Sequence, residues 1–260
     1  MKRVFLTLSY DGTAYAGWQR QKNALSVQQV LEEALTRLTC ERISVTGASR
    51  TDAGVHALGQ AAHFDTCCNI PPEKFSFALN TVLPGDIRIL SGHEATFDFH
   101  ARFDACAKTY HYVFHNAPHV NALSRLYHAH IPLPLNVARM RDAARVLLGR
   151  HDFSAFRGSG GALGNTAREI TEIDVIREAE TVTVVVTGNA FLYHMVRIIA
   201  GTLAAIGQGK LPLSCLQEAL CTGDRLVLGA TAPAHGLCLM RVYYPNQTAP
   251  DTCGHRLRND

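Results

Sequence analysis

The chain has little of what marks a metal-binding, secreted or membrane protein. Its eight cysteines include no C-x-x-C pair, which excludes a zinc ribbon and a thioredoxin-like redox motif. The apolar run near the N-terminus covers only Val4 to Leu8, which is too short for the core of a signal peptide or for a membrane span. We therefore expect a cytoplasmic protein with no membrane partner.

Charge is also sparse. Charged residues make up 18% of the 260 residues and the net charge is only +3, so any basic surface must come from local clustering. The hydrophobic fraction of 47% is ordinary for a globular protein with a packed core. This length allows one large domain or two small ones. The composition permits an RNA partner without indicating one.

Three familiar kinds of site are absent or weak. The thirteen histidines include no helical H-E-x-x-H motif and accompany no cysteine cluster, so no metal site is predicted. A Gly-rich loop at 157–166 lacks the GK[ST] ending of a phosphate-binding loop and is interpreted as a connector. Ser49, His56 and Asp52 make a weak serine-hydrolase hypothesis, because they crowd together without a G-x-S-x-G elbow.

The alternation of apolar residues predicts two successive groups of elements, each in the order β-α-β-β-α-β. The first group has strands at 3–9, 43–45, 60–64 and 86–90, with helices at 27–38 and 71–79. The second has strands at 109–115, 169–177, 182–187 and 237–243, with helices at 136–148 and 191–206. This order predicts an α+β fold of two tandem ferredoxin-like (RRM-like) halves, whose antiparallel sheets form a central cleft. The predicted domains are 1–98 and 99–245, followed by a polar tail at 246–260.

The segment from Val45 to His56, VTGASRTDAGVH, links two predicted strands and carries the first candidate for chemistry. Residues i and i+2 of an extended segment point to the same side, so Arg50 and Asp52 are predicted to face one cleft. A nearby cation favours the ionised carboxylate that a nucleophile or base requires. The alternative is a loop aspartate that makes an Asx-turn with its own backbone.

Arg197 is the second candidate. It is the one formally charged residue in the helix predicted at 191–206, which is apolar on nearly every side. A helix that is apolar all round is buried, and a buried guanidinium needs an anionic partner. Asp52 and an RNA phosphate are two candidates for that partner, and a purely structural ion pair is the third.

Tyr110 is the third candidate. Tyr110, Tyr112 and Phe114 share one face of a predicted strand. We interpret Tyr112 and Phe114 as core residues. Tyr110 lies near the start of the strand, where its ring can be presented to a base, since aromatic stacking is the usual way of holding single-stranded RNA.

These segments together resemble the TruA-type tRNA pseudouridine synthases, from Tyr10 to Tyr244. The most specific block is R-T-D-A-G-V-H at 50–56. The other matching blocks are at 10–12, 17–21, 26–28, 47–49, 99–102, 108–112, 151–156, 191–201 and 231–237. The Gly-rich loop carries few side chains for an RNA contact, and the tail after Tyr244 matches nothing familiar.

The resemblance implies a specific activity. It makes Asp52 the catalytic aspartate, Arg50 a substrate-binding residue, Tyr110 the residue that stacks on the target uracil, and Arg197 the partner of the aspartate. Such enzymes isomerise uridine to pseudouridine at positions 38, 39 and 40 of the tRNA anticodon stem-loop after flipping the base. They act as homodimers without a cofactor or metal, so tRNA and a second copy of the chain are the expected partners, and the cleft is expected to be both RNA-binding and catalytic. The role of Asp52, as nucleophile on ribose or base or as acceptor of a ribose proton, stays open.

A non-enzymatic RNA-binding protein is the main alternative, because RRM domains use the same ferredoxin-like unit. It predicts aromatic residues in the RNP pattern K/R-G-F/Y-G/A-F-V-x-F/Y, and the chain has no such segment. It also gives no reason for Asp52 beside Arg50, or for Arg197 within an apolar helix.

Overall fold

The computed structural model describes residues 1–161 and 164–245. The predicted tail at 246–260 and residues 162–163 of the Gly-rich loop lie outside this range. The strands are β1 (Lys2–Tyr10), β2 (Thr46–Gly47), β3 (His56–Thr66), β4 (Ile87–Ala95), β5 (Ala107–His115), β6 (Ala129–His130), β7 (Gly149–Asp152), β8 (Ala167–Glu178), β9 (Thr181–Gly188) and β10 (Leu237–Tyr243). The helices are α1 (Val27–Thr39), α2 (Phe75–Asn80), α3 (Val137–Ala144), α4 (Met195–Gly207) and α5 (Cys215–Thr222). Within the described ranges, no helix is long and apolar enough to cross a membrane.

The strands form one mixed, mostly antiparallel sheet in an α+β fold. Its order is β4-β1-β3-β10-β5-β9-β8-β7, with β2 added to β3 and β6 added to β5. The sequence predicts separate antiparallel sheets, whereas in the structure β10 joins the strands of 2–95 to those of 107–188. This happens because the free edges of β3 and β5 both hydrogen-bond to β10.

The direction of β10 determines which loops meet. It runs parallel to β3, with Cys238 opposite His56, and antiparallel to β5, with Leu239 opposite Tyr110. Parallel neighbours begin at the same edge of a sheet. The segment before β3, which contains Asp52, therefore lies beside the segment before β10.

The main core lies on one face of the sheet. Val4, Leu6 and Leu8 of β1 alternate into it, and the buried faces of α1 and α4 contribute to it as well. On the opposite face, Phe5 packs in a smaller cluster with Ala48 and Ala61. This two-sided alternation is the expected pattern for a strand with both faces covered.

Helix α1 forms as the sequence predicts, but the strand predicted at 43–45 is wrong. The Ser26 hydroxyl caps α1 by accepting from the Gln29 N–H at 3.3 Å. Two side chains of α1 form hydrogen bonds with the backbone of Val45, in place of a neighbouring strand. Glu32 Oε1 accepts from the Val45 N–H at 3.0 Å, and Gln28 Nε2 donates to the Val45 carbonyl at 2.9 Å. Strand pairing starts only at Thr46, opposite His63.

Helix α4 begins at Met195, four residues later than the predicted start at 191. The preceding residue, His194, has φ 62° and ψ 2°. This left-handed conformation interrupts a right-handed helix and is uncommon for a residue with a side chain. The segment at 191–194 is therefore a turn that leads into the helix.

Candidate active site

The loop that carries Asp52 is held by the loop that follows β1. The Trp18 N–H donates to the Thr51 carbonyl at 3.1 Å, and the Gly54 N–H donates to the Tyr15 carbonyl at 3.2 Å. Gly17 has φ 90°, and a Cβ at this position would overlap the Thr51 carbonyl oxygen. The two loops thus approach so closely that only glycine fits at residue 17.

Buried polar side chains fix the same loop from inside the sheet. The Gln60 amide binds both backbone groups of Ser49, with Oε1 3.2 Å from its N and Nε2 2.8 Å from its O. The Tyr10 hydroxyl lies 2.8 Å from Thr51 Oγ1. Lys108 of β5 donates to the Ala48 carbonyl at 2.9 Å, and burial lowers the pKa of its ammonium group to about 8. Groups from both sides of β10 therefore position this loop.

Asp52 contacts two side chains through one of its two oxygens. Arg197 Nη1 lies 2.9 Å from Asp52 Oδ2, and His194 Nε2 lies 3.4 Å from the same atom. The three side chains are 17%, 14% and 22% exposed for Asp52, Arg197 and His194. Within the described residues Asp52 Oδ1 makes no hydrogen bond. The two oxygens of this carboxylate thus differ in their surroundings.

The segment before β10 orients the guanidinium. Arg197 Nε donates to the Ala232 carbonyl at 2.8 Å, and the Ala232 N–H donates back to the Arg197 carbonyl at 3.1 Å. Next along the chain, the Pro233 carbonyl accepts from the Tyr112 hydroxyl at 2.8 Å. The guanidinium is thus tied to α4, to this segment and to the loop of Asp52.

His194 is a site residue that the sequence reasoning missed. Its ring stacks on Tyr193, with centroids 3.8 Å apart, and a Cβ on Gly158 would collide with it. Burial lowers the pKa of the imidazole, Asp52 opposes that shift and Arg197 adds to it. The available signal was its position three residues before Arg197, because residues i and i+3 of a helix share a face.

Tyr110 forms an aromatic wall beside these groups. It is 7% exposed, and the ring of Phe191 lies 5.1 Å away at 83°. Burial, with a contribution from the charge of Asp52, raises the pKa of the Tyr110 hydroxyl to about 12, so the phenol stays protonated. Tyr112 and Phe114 are buried in the core, which confirms their interpretation from the sequence.

Arg50 stays apart from the carboxylate. It is exposed, and among the described residues it makes neither an ion pair nor a hydrogen bond with Asp52. The cation beside Asp52 is therefore Arg197, while Arg50 lies at the surface two residues away. The structure brings together Asp52, Tyr110 and Arg197 and leaves Arg50 free to meet a partner in solution.

The weak alternative of a serine hydrolase has no geometric support. His56 Nδ1 accepts from the Gly12 N–H at 3.0 Å, and its Nε2 lies 3.0 Å from the Leu126 carbonyl. Its ring is thus bound to backbone groups of other loops.

Across residues 1–161 and 164–245, no three His, Cys, Asp or Glu side chains are grouped so that they could hold a metal ion.

Comparison with known proteins gives one consistent result. A family model described as tRNA pseudouridine synthase matches residues 7–104 and 143–245. The chain is 49% identical to tRNA pseudouridine synthase A of Ruminiclostridium cellulolyticum, over 94% of this chain and 100% of that protein. It is 46% identical to the protein of that name from Acetivibrio thermocellus and 43% identical to the one from a Thermoanaerobacter species, each over 94% of this chain and 100% of the relative. The chain therefore belongs to the tRNA pseudouridine synthase family, isomerases that act on tRNA.

Proposed function

We propose that this enzyme converts uridine to pseudouridine at positions 38, 39 and 40 of the tRNA anticodon stem-loop, with Asp52 as the reacting carboxylate. The observation that carries the proposal is the state of Asp52: Oδ2 is held by Arg197, while Oδ1 makes no hydrogen bond within the described residues. A carboxylate next to a fixed guanidinium stays ionised, as a nucleophile or a base must.

The reaction needs no oxidant or reductant. The C1′–N1 bond breaks, the uracil turns, and a C1′–C5 bond forms. C5 then loses its hydrogen as a proton and N1 gains one, so the product is an isomer of the substrate. In this scheme Asp52 Oδ1 acts at the nucleotide, and Arg197 keeps the negative charge in place during the steps.

The uracil must leave the base stack before it can reach Asp52. Such flipping costs roughly a few kcal/mol, so the site has to hold the displaced base. Tyr110 and Phe191 supply the aromatic wall for the detached ring. The exposed Arg50 is assigned to the substrate, where it fills the gap left by the flipped base or grips its phosphate.

The resemblance supports three further parts of the proposal. The enzyme works in the cytoplasm as a homodimer, with one tRNA lying across both subunits. Its two ferredoxin-like halves are 1–98, with the loop of Asp52, and 99–245, with Tyr110 and Arg197. Light scattering at working concentration is expected to give twice the mass of one chain, and a monomer would contradict the dimer.

Tritium release tests the proposed reaction. The substrate is tRNA carrying [5-³H]uridine, in versions that keep uridine at only one of positions 38, 39 and 40. Because the C1′–C5 bond must expel the hydrogen on C5, the wild type is expected to release tritium from each version. Asp52→Ala and Asp52→Asn are expected to bind the tRNA and release none. Near-normal release by either variant would reject Asp52 as the reacting group.

A further inference from the structure

A cavity borders the candidate active site. It has a volume of about 380 Å³, and its lining includes Arg157, His194, Arg225, Ala230 and Thr231. His194 belongs to both places, since its Nε2 lies 3.4 Å from Asp52. The cavity and the carboxylate thus contact the same imidazole ring.

Two arginines, Arg157 and Arg225, line the cavity. Arg225 is half-buried, and within the described residues the only hydrogen bond of its guanidinium runs from Nη1 to the Leu228 carbonyl at 3.3 Å. The neighbouring Asp224 instead accepts from the Leu226 N–H at 2.8 Å. A guanidinium that is partly removed from water without an anion is costly, so the cavity favours a negatively charged occupant.

Backbone donors add to this preference. Ala230 and Thr231 line the cavity, and their N–H groups make no hydrogen bond with any described part of the chain. Backbone N–H groups together with the guanidinium of Arg225 suit an oxyanion with several acceptor oxygens. A phosphate group has such oxygens, and arginine can bind two of them at once.

We propose that this cavity binds a backbone phosphate of the RNA strand next to the nucleotide that reacts at Asp52. The inference rests on the proposed function and identifies how the substrate is positioned. In a nucleotide the ribose that carries C1′ also carries the phosphates, and in this protein His194 both lines the cavity and contacts Asp52. Phosphate contacts fix the register of a nucleic acid on a protein. Binding here therefore places the ribose of the target uridine against Asp52 Oδ1.

The first test combines substitution of Arg225 with salt dependence. Arg225→Ala is expected to weaken tRNA binding by about tenfold and to reduce the slope of log Kd against log salt concentration by about one. Arg225→Lys keeps the charge and is expected to keep the slope. The control is Arg42→Ala, which removes an exposed arginine. Its neighbour Glu41 accepts a hydrogen bond from Thr66, at the end of β3 that is far from Asp52. The slope of this variant is expected to equal that of the wild type.

The second test removes the charge from the RNA instead of the protein. A neutral methylphosphonate replaces the phosphate on the 5′ or the 3′ side of the target uridine. At one of the two positions, the methylphosphonate is expected to weaken tRNA binding by the wild type by the same factor as the Arg225→Ala substitution does. At that position it is expected to cause no further loss of tRNA binding by Arg225→Ala. The effect of the methylphosphonate on the wild type is measured with folded protein alone, so a loss of affinity at one position and none at the other supports the site even if the variant is unstable. Equal affinities at both positions would contradict it.

The outcomes separate this inference from the proposed function. Equal salt slopes for the wild type and Arg225→Ala, with independent effects of the methylphosphonate, would overturn the phosphate site even if the wild type releases tritium. Absence of tritium release by the wild type would reject the proposed reaction, while the binding measurements would still report on the cavity.

Discussion

Arg197 and Asp52 meet at 2.9 Å, through Nη1 and Oδ2, although 145 residues separate them in the chain. Asp52 lies before β3, and Arg197 lies in α4 and binds Ala232 in the segment before β10. The contact therefore exists only where β3 and β10 lie side by side.

Arg197→Met is expected to lower both catalysis and stability. Without the guanidinium, Asp52 becomes a mostly buried, unpaired carboxylate, and the free energy of unfolding is expected to fall by about 3 kcal/mol. Urea unfolding measures this loss, and single-turnover tritium release measures the catalytic defect. Adding Asp52→Asn to the same chain removes the unpaired charge. The double variant is expected to regain stability but not activity, and a double variant as unstable as the single one would contradict the ion pair.

Gln60→Leu tests how the Gln60 amide supports the loop that carries Asp52. The change leaves both backbone groups of Ser49 without their partner in a buried place, so a loss of about 2 kcal/mol is expected. Because Asp52 loses its fixed position, the rate at saturating tRNA should fall more than the affinity. Gln217→Leu, at an exposed position on α5, is the matched control and should stay within about 0.5 kcal/mol of the wild type.

Gly158→Ala tests the packing of His194. A methyl group at Gly158 would occupy the space of the imidazole ring, so the ring has to move away from its place beside Asp52. We expect a reduced single-turnover rate with tRNA affinity largely retained. Gly85→Ala provides the control, because its nearest neighbour is the end of the flexible Arg88 side chain at 3.8 Å. Equal rates for the two variants would show that the position of His194 is irrelevant to the reaction.

Lys108 makes stability depend on pH in the alkaline range. Burial lowers its pKa from 10.5 to about 8 in the folded protein, so between these values the unfolded chain binds more protons. Stability therefore rises with pH through this window, and the penalty is fully present below pH 8. Relative to Lys108→Met, the wild type is expected to gain about 2 kcal/mol between pH 7 and pH 9.5. Lys74→Met, which replaces an exposed lysine, should show no such difference in urea unfolding.

The sequence predicted those parts of the site that leave a local pattern. Arg197 stands out as a charge within an apolar helix, and a buried guanidinium needs an anionic partner from elsewhere in the fold. The segment at 47–56 stands out because its glycines and its Asp interrupt two strands. Tyr112 and Phe114 follow from strand alternation alone.

The remaining features depend on contacts between distant segments. The parallel pairing of β10 with β3 has no local signature, so the single sheet could not be predicted from alternation. The left-handed conformation of His194 occurs where its ring packs against Gly158 and Tyr193, and apolar periodicity does not predict such packing. From the sequence, Gln60 is only a polar residue within a predicted strand. The contact of its amide with Ser49 depends on how the loop of Asp52 folds back on β3, which the sequence pattern does not show.

The central position of β10 also bears on the order of events during synthesis. A ribosome releases β1, β3 and β4 long before β10, so β3 waits with one edge unpaired, and an open edge invites pairing with other chains. Over the same period Asp52 has no guanidinium beside it, because Arg197 and Ala232 follow much later in the chain. The contact between Asp52 and Arg197 therefore forms only when β10 inserts between β3 and β5, and the same insertion covers the exposed edge of β3.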